Sequence, residues 1–383
     1  MNIDMQSTMQ RLAQTVSAQF TSTSEQYDRL VLLVDKGGAM LVFHREIALL
    51  EKLFSQMLPA GTFQSMRLSA DPEGNMSLHN QDPASTSAVS IDSAFASGRA
   101  MILMLSDMIG MAWGMGTIAG LLNAWGQSNF ITIATVLSRG LDCGPYTFGE
   151  VVALNSPQGA LNNMAPQYEF DCWSMDEDSP EKRRDNVRVP IIMPDEKSIE
   201  MWEQFMCGKG AARGMVFPPA ATIREYKSRW EEPPSREKKP EQLVMGLRLL
   251  AGDDSFQLAV YVSAVAPLTL PLLEKIQRRM LPGTGPEVLA YLFLSSTLKI
   301  TRPSADDSTR LYDFRQGVRH LLWRGLRTVD SIIVIDVMFD HLADQHPGGD
   351  VVALMRTIAM DESQTPSEVR DYLLEQCDRR SIG

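Results

Sequence analysis

Through the first half of the chain, short segments that are apolar on both faces alternate with longer amphipathic segments. Residues 29–34 form one apolar segment, which ends at Asp35, and residues 100–105 form another, which is followed by Asp107 after a single serine. Strands that are apolar on both faces are typical of the buried interior of a parallel sheet. Between them, residues 44–58 repeat apolar positions at helical spacing. This alternation predicts an α/β fold, a Rossmann-like open sheet with helices on both faces.

Changes in composition divide the chain into two domains. Residues 27–223 carry the α/β alternation, interrupted at 71–97 by a stretch rich in Ser, Asp and Asn that predicts a flexible insert or long loop. Residues 224–242 are charged and contain paired prolines but few aliphatic side chains, which indicates a linker or an exposed arm. Residues 243–383 carry mainly helical patterns.

The C-terminal domain has the pattern of a winged helix. Helical segments precede two short strand-like segments at 298–301 and 310–314, which a polar turn separates, and another helical segment follows at 316–326. Three helices followed by such a hairpin predict a mainly α, winged-helix-like domain. Residues 327–383 either extend this domain or form a unit of their own.

The composition narrows the expected partners and the compartment. The 383 residues carry a formal net charge of −11, which repels a phosphate backbone and disfavours nucleic acid as a partner. The four cysteines are scattered without a CxxC pair, so we expect a cytoplasmic protein without disulfides. The nearly uncharged stretch 100–125 contains Asp107 and several glycines. We therefore expect a strand, a turn and a helix there, and no membrane partner.

Several stretches resemble a bacterial von Willebrand factor A-like (vWA-like) module. The matching stretches are 30–35 (LVLLVD), 102–107 (ILMLSD), Trp113, 121–126 (LLNAWG), 189–194 (VPIIMP), 266–283 (APLTLPLLEKIQRRMLPG) and 312–318 (YDFRQGV). They span roughly residues 27–326, and their order and spacing carry the resemblance more than any single motif does. The resemblance implies a vWA-type open sheet in the first domain.

The module that these stretches resemble stands ahead of varied effector domains in predicted bacterial conflict or defence systems. The resemblance therefore implies a non-catalytic adaptor or regulatory subunit that binds other proteins in such a system. Because no catalytic domain is recognisable in this sequence, the expected partner is an effector on a separate chain. A MoxR-type AAA+ ATPase is a second partner that the vWA resemblance implies.

The resemblance also implies a metal position, at which this sequence departs from the family pattern. A functional vWA domain holds a divalent cation with an Asp-x-Ser-x-Ser loop, a threonine and a later aspartate, since hard cations prefer clustered oxygen ligands. Asp35 and Asp107 match the two aspartates, whereas Gly37 and Ala39 replace the two hydroxyl residues. Lys36 could supply the missing positive charge. We therefore expect a degenerate site without metal or cofactor, in which the two aspartates cap the turns that follow their strands.

The loops at this edge of the sheet are then expected to bind protein. Apolar and aromatic anchors dominate the energetics of protein interfaces, and charged residues around them select the partner. The candidate protein-binding residues are Lys36, Met40, Asp107, Met111, Trp113 and, in a later acidic segment, Trp173.

Two other functions stay open at this point. The first is an enzyme centred on Asp35, Asp107 and Cys143, although the sequence contains no HExxH, GxSxG or phosphate-loop motif. The second is a DNA-binding regulator that uses the winged-helix-like domain. Its candidate recognition helix, 286–298, is apolar, with one acidic and no basic residue, which disfavours contact with the major groove.

Overall fold

The structure of the protein is a computed structural model. It describes residues 5–71, 75–81, 88–91, 94–96, 98–137, 150–155, 162–169, 185–223, 238–304, 309–361 and 367–381. The chain divides into two compact units, Ile3–Pro234 and Ser235–Gly383. The boundary falls within the segment expected as a linker, 224–242, of which residues 224–237 lie outside the described ranges.

The first unit is built on one sheet. Its strands are β1 (Arg29–Asp35), β2 (Phe63–Ala70), β3 (Met76–Asn80), β4 (Ala88–Val89), β5 (Ala100–Ser106), β6 (Phe130–Thr135), β7 (Glu150–Asn155), β8 (Gln167–Glu169), β9 (Val187–Ile192) and β10 (Ala211–Phe217). They lie in the order β4-β3-β2-β1-β5-β6-β9-β10-β7-β8. The middle strands β2, β1, β5, β6 and β9 run parallel. The outer strands on both sides pair antiparallel.

Strands β1 and β5 lie at the centre, as their apolar sequences predict. Every residue of β5 is buried, and in β1 all residues but the first are buried. Leu33 of β1 stands opposite Met66 of β2 on one side and Met104 of β5 on the other. Because helices cover both faces of these strands, apolar side chains are needed on both. The expected Rossmann-like α/β sheet is confirmed.

Helices lie on both faces of the sheet. They are α1 (Met5–Ser22), α2 (His44–Met57) with a preceding 3-10 turn (Met40–Phe43), α3 (Met111–Gly114), α4 (Thr117–Gly126) and α5 (Glu196–Met206). Helix α1 packs against α2 and α5, and Trp202 of α5 donates a hydrogen bond to Thr132 of β6 at 3.1 Å. Helix α4 covers the other face, where its Ile118 and Leu122 share a core with Ile131 of β6.

The first unit begins earlier in the chain than residue 27, where the sequence pattern placed it. Helix α1 buries Met9, Leu12, Val16 and Phe20, which recur at helical spacing and form one apolar stripe. The intervening serines, threonines and glutamines hide this stripe when composition alone is considered.

The segment 71–97, expected as a flexible insert or loop, contributes two strands to the sheet. Strand β3 pairs antiparallel with β2, placing Leu78 opposite Leu68, and β4 pairs with β3. Leu78 is buried while Ser77 and His79 are half-buried, which is the alternation of an antiparallel strand that is covered on one face. This correction has a physical cause, because such a strand needs few apolar residues.

The apolar stretch 100–125 forms β5, α3 and most of α4, as expected. Within the part of the chain that the structure describes, no helix combines the length and the apolar composition that a bilayer crossing requires.

The second unit consists of helices and one hairpin. Its elements are α6 (Pro240–Val262), α7 (Leu270–Met280), α8 (Glu287–Leu294), β11 (Leu298–Arg302), β12 (Leu311–Phe314), α9 (Val318–Trp323), α10 (Thr328–Gln345), α11 (Val351–Met360) and α12 (Ser367–Ser381). Helix α6 is kinked at Gly252, whose φ is 76°. The hairpin of β11 and β12 lies where the sequence pattern placed it. That this unit has the winged-helix fold stays a prediction.

Candidate functional site

The candidate site lies where the strand order reverses. The chain passes from β1 through α2 to β2 on one side, and from β5 through α4 to β6 on the other. In open α/β sheets, the carboxyl ends of the strands at such a reversal border the crevice in which ligands bind. Asp35 ends β1, Ser106 ends β5 and Asp107 follows it. All three side chains are buried.

Asp35 accepts hydrogen bonds on both carboxylate oxygens. Its Oδ1 accepts from the backbone N–H of Gly37 at 2.8 Å. Its Oδ2 accepts from Ser106 Oγ at 2.8 Å and from Trp113 Nε1 at 2.9 Å. The indole N–H of Trp113 also lies 3.1 Å from Ser106 Oγ. The carboxylate is therefore surrounded by donors that belong to its own chain.

Asp107 joins the loop after β5 to the loop after β1. Its Oδ1 accepts from the backbone N–H of Ile109 at 2.8 Å, and its Oδ2 accepts from the backbone N–H of Ala39 at 3.1 Å. Together, Asp35, Ser106, Asp107 and Trp113 form what we call the carboxylate cluster. The buried side chains of this cluster thus hold the loop after β1 and the loop after β5 by hydrogen bonds to their backbones.

Burial alters the protonation of both aspartates. Burial and, second, the charge of Asp35 raise the pKa of Asp107 to about 7, although the backbone N–H groups that bond to it act in the opposite direction. Burial also raises the pKa of Asp35, against the hydrogen bonds that it accepts. Because two buried carboxylates repel each other when both are charged, the pair titrates as a unit.

The residues of the cluster do not fit the divalent cation that the vWA resemblance implies. A Cβ at position 37 would lie 3.2 Å from Asp35 Oδ1 and 3.4 Å from the carbonyl oxygen of Ile109, so a hydroxyl-bearing side chain would crowd the carboxylate. Three of the roughly four lone-pair positions of the Asp35 carboxylate already accept hydrogen bonds from Gly37, Ser106 and Trp113. No group of three His, Cys, Asp or Glu residues placed to hold a metal occurs among the described residues.

The predicted protein-binding residues differ in their exposure to solvent. Lys36 is exposed, but Asp107 is 0 % exposed, Trp113 1 % and Met40 2 %. The ring of Trp113 packs near Phe217, with 6.3 Å between the ring centroids. The prediction that Met40, Asp107 and Trp113 contact a protein partner is therefore corrected, since all three side chains are buried. The side chain of Met111 and all of Trp173 lie outside the described residues.

Ser106 is a member of the candidate site that the sequence analysis did not single out. Besides bonding to Asp35, its Oγ accepts from the backbone N–H of Met108 at 2.9 Å. This bond holds Met108 at a φ of 57°, a left-handed conformation that costs a non-glycine residue free energy. A serine that ends an otherwise apolar strand was the signal that could have found it.

The structure bears on the two alternative functions, the enzyme and the DNA-binding regulator, in different ways. Cys143 lies outside the described residues. In α8, which lies within the candidate recognition helix 286–298, Val288 through Leu292 are buried and Glu287 is half-buried. This helix therefore offers no exposed basic face to a DNA groove.

Comparison of the chain with protein-family models, curated proteins and solved structures finds no match. The resemblance to the vWA-like module thus rests on the sequence stretches quoted above.

Proposed function

We propose that the protein is a non-catalytic adaptor or regulatory subunit of a bacterial conflict system, with a degenerate vWA-like first unit that binds a separate effector protein. The observation that carries the proposal is the carboxylate cluster. At the strand-order reversal, where a ligand would be held, the oxygens of Asp35 and Asp107 already accept hydrogen bonds from the chain itself. These hydrogen bonds use the carboxylate oxygens to hold the two loops in place. This favours a structural role for the aspartates over a reactive one.

The raised pKa of Asp107 is the feature that favours the rival, an enzyme at this site. A carboxylic acid with a pKa of about 7 suits general acid–base catalysis at neutral pH. Such an acid must come within hydrogen-bonding distance of its substrate, and Asp107 is fully buried beneath the loops. Burial accounts for the raised pKa and also separates the group from a substrate, so we favour the adaptor.

The surface available to a partner is the part of the two loops that remains exposed. Lys36, Gly38, Gly110 and Gly114 are exposed and Ile109 is half-buried, and we call these five residues the loop face. Because the cluster holds the backbone beneath it, the loop face loses little conformational freedom on binding, which favours affinity. Lys36 gives the loop face a positive charge, so the partner is expected to present an acidic patch. A MoxR-type AAA+ ATPase is a second partner consistent with a vWA-like unit.

The test compares two charge reversals on the full chain. We expect Lys36→Glu to reduce co-purification of the native partner at least tenfold, because a like charge then faces the acidic patch. Lys52→Glu is the matched control, since Lys52 is exposed on α2 outside the loop face, and it should leave capture within about twofold.

The identity of the contact is checked with a photo-crosslinking residue at position 38 and, separately, at position 52. One protein crosslinked from position 38 and not from position 52, identified by mass spectrometry, supports the proposal. Equal capture by Lys36→Glu and Lys52→Glu would remove the loop face as the binding surface.

A further inference from the structure

The second unit contains a cavity whose lining is basic. The cavity is an open cleft of about 590 Å³ between the start of α6 and the turn from β12 into α9, and most of the residues that line it are exposed. Lys238, Lys239 and Arg315 line it, and none of the described residues around it is acidic. Its volume is in the range that holds small organic ligands.

These three basic side chains have no carboxylate partner among the described residues. The next arginine along the chain shows the contrast, because Arg319 is buried and pairs with Asp313 at 2.6 Å. Three positive charges without a carboxylate partner in the described ranges repel each other around one concavity, and an anion placed between them would relieve that repulsion. Their clustering is notable in a chain whose formal net charge is −11.

Arg315 is held in place at the edge of the cavity. Its backbone N–H donates to the carbonyl oxygen of Thr297 at 2.8 Å, and its Nε donates to the carbonyl oxygen of Ser296 at 2.9 Å. The terminal nitrogens of the guanidinium are then left to bind a ligand. A guanidinium fork matches two oxygens of one phosphate group, and fixing it in advance reduces the entropy lost on binding.

The opposite wall lies close because Gly317, which has no side chain, packs against the ring of Pro240. Gly317 has a φ of 79°, and a Cβ there would lie 2.8 Å from Cγ of Pro240. Pro240 is the first residue of α6, whose N-cap is Lys239 and whose first segment runs to the kink at Gly252. The positive end of this helix, equivalent to roughly half an elementary charge, adds to the charge of the lysines.

The remaining lining is suited to the uncharged part of a ligand. Leu243 is buried and Pro240 half-buried, while Gln316 adds a neutral hydrogen-bonding group. An inorganic anion would use only the basic side of such a cavity. An organic molecule that carries phosphate would use both sides.

We propose that this cavity binds a small organic phosphate, with the phosphate held by Arg315 and Lys239 and the organic part against Leu243 and Pro240. The proposal does not depend on the loop face or on its partner. It assigns a binding site to the second unit, which the adaptor function leaves without one. The same phosphate chemistry could come from a free molecule or from a nucleic-acid backbone, and the experiment separates these sources.

Binding is measured by calorimetry on the full chain with inorganic phosphate, adenosine 5′-diphosphate and a twelve-nucleotide single-stranded DNA. We expect saturable binding of the diphosphate, weaker binding of inorganic phosphate and no tighter binding of the DNA. Lys239→Gln should lower the affinity for the diphosphate at least tenfold, and so should Arg315→Gln. The control Arg279→Gln removes an exposed positive charge at the end of α7. The affinity of this variant for the diphosphate should stay within twofold of the wild-type affinity.

Lys239→Gln keeps the proposal testable if Arg315→Gln is unstable, because the helix cap at Lys239 uses its backbone N–H, which donates to Gln242 Oε1. Three results would overturn the proposal. They are no binding of the diphosphate at 10 mM (roughly the limit of useful affinity), an equal loss in Arg279→Gln, or tight binding of the DNA alone. The last would assign the cavity to a nucleic-acid surface.

Discussion

At the scale of single residues, the candidate site depends on where one indole N–H points. Trp113 buries its ring beside Phe217 and still satisfies its N–H, because Asp35 and Ser106 accept it. Asp35 in turn receives the hydrogen bonds that a buried carboxylate requires. The apolar ring and the polar cluster are therefore parts of one arrangement, and replacing either leaves the other without its partner.

The protonation of Asp107 predicts a pH dependence of stability. Its pKa is about 7 in the folded protein and about 4 in the unfolded chain. Between these values the folded state holds a proton that the unfolded state has released. The free energy of unfolding therefore falls as pH rises through this window, by up to about 1.4 kcal/mol per pH unit, and levels off above it.

Asp107→Asn mimics the protonated form of this residue and should reduce the slope, leaving only the contribution of Asp35, whose pKa burial also raises. We expect wild type to lose stability relative to the variant in urea unfolding between pH 5 and pH 8. Glu200→Gln, which removes an exposed carboxylate on α5, should run parallel to wild type. A wild-type curve parallel to Asp107→Asn would show that Asp107 titrates normally.

At the scale of secondary-structure elements, a side chain completes the sheet where two strands separate. Strands β6 and β9 pair at Ile133 with Ile191 and at Ala134 with Ile192. Further back, Asn163 stands between them. Its Oδ1 accepts from the backbone N–H of Ile131 at 2.6 Å, and its Nδ2 donates to the carbonyl oxygens of Ile131 and Arg188 at 2.8 and 2.9 Å. The buried amide thus replaces the hydrogen bonds of a strand.

Asn163→Ala should destabilise the first unit by about 2–4 kcal/mol, because it leaves buried backbone groups of β6 unpaired. The measurement is urea unfolding, together with faster hydrogen exchange at the amide of Ile131. Asn162→Ala is the control, since Asn162 is half-buried and accepts one bond, from the backbone N–H of Met164 at 3.0 Å. Its expected cost is below about 1 kcal/mol, and equal costs for both variants would contradict the strand-replacing role.

At the scale of the whole molecule, the division into two units assigns the two proposals to different parts of the chain. The loop face belongs to Ile3–Pro234 and the basic cavity to Ser235–Gly383. Each unit has its own buried core, so a change in one is expected to leave the fold of the other intact.

Limited proteolysis tests this division. The stretch 224–242 contains several lysines and arginines, paired prolines and few aliphatic residues, and cleavage concentrates in segments of such composition between compact units. We expect trypsin to cut first there and to yield two fragments that resist further digestion, as read by mass spectrometry. First cuts after Arg67 or Arg188, which lie in strands β2 and β9 of the first unit, would mean that the first unit is not compact.

Periodicity in the sequence determined much of this protein. The apolar segments before Asp35 and Asp107 predict the central parallel strands, and the segments at 298–301 and 310–314 predict the hairpin, because strand burial and turn chemistry are local properties. The sequence also shows that Gly37 and Ala39 stand where hydroxyl ligands would be needed, since residue identity alone decides which atoms are available.

Tertiary structure decided the rest, because it depends on which distant groups meet. Trp113 looked like a surface anchor but packs into the core, since its N–H finds Asp35 across 78 positions of sequence. Strand β3 was predicted as a loop because its sequence is mostly polar. It forms a strand because β2 lies beside it and pairs with it. The pKa of Asp107 depends on burial and on the approach of Asp35, and the basic cavity on the packing of Gly317 against Pro240. Apart from the β2–β3 pairing, which joins neighbouring strands, each of these depends on contact between residues far apart in the chain, which local pattern does not encode.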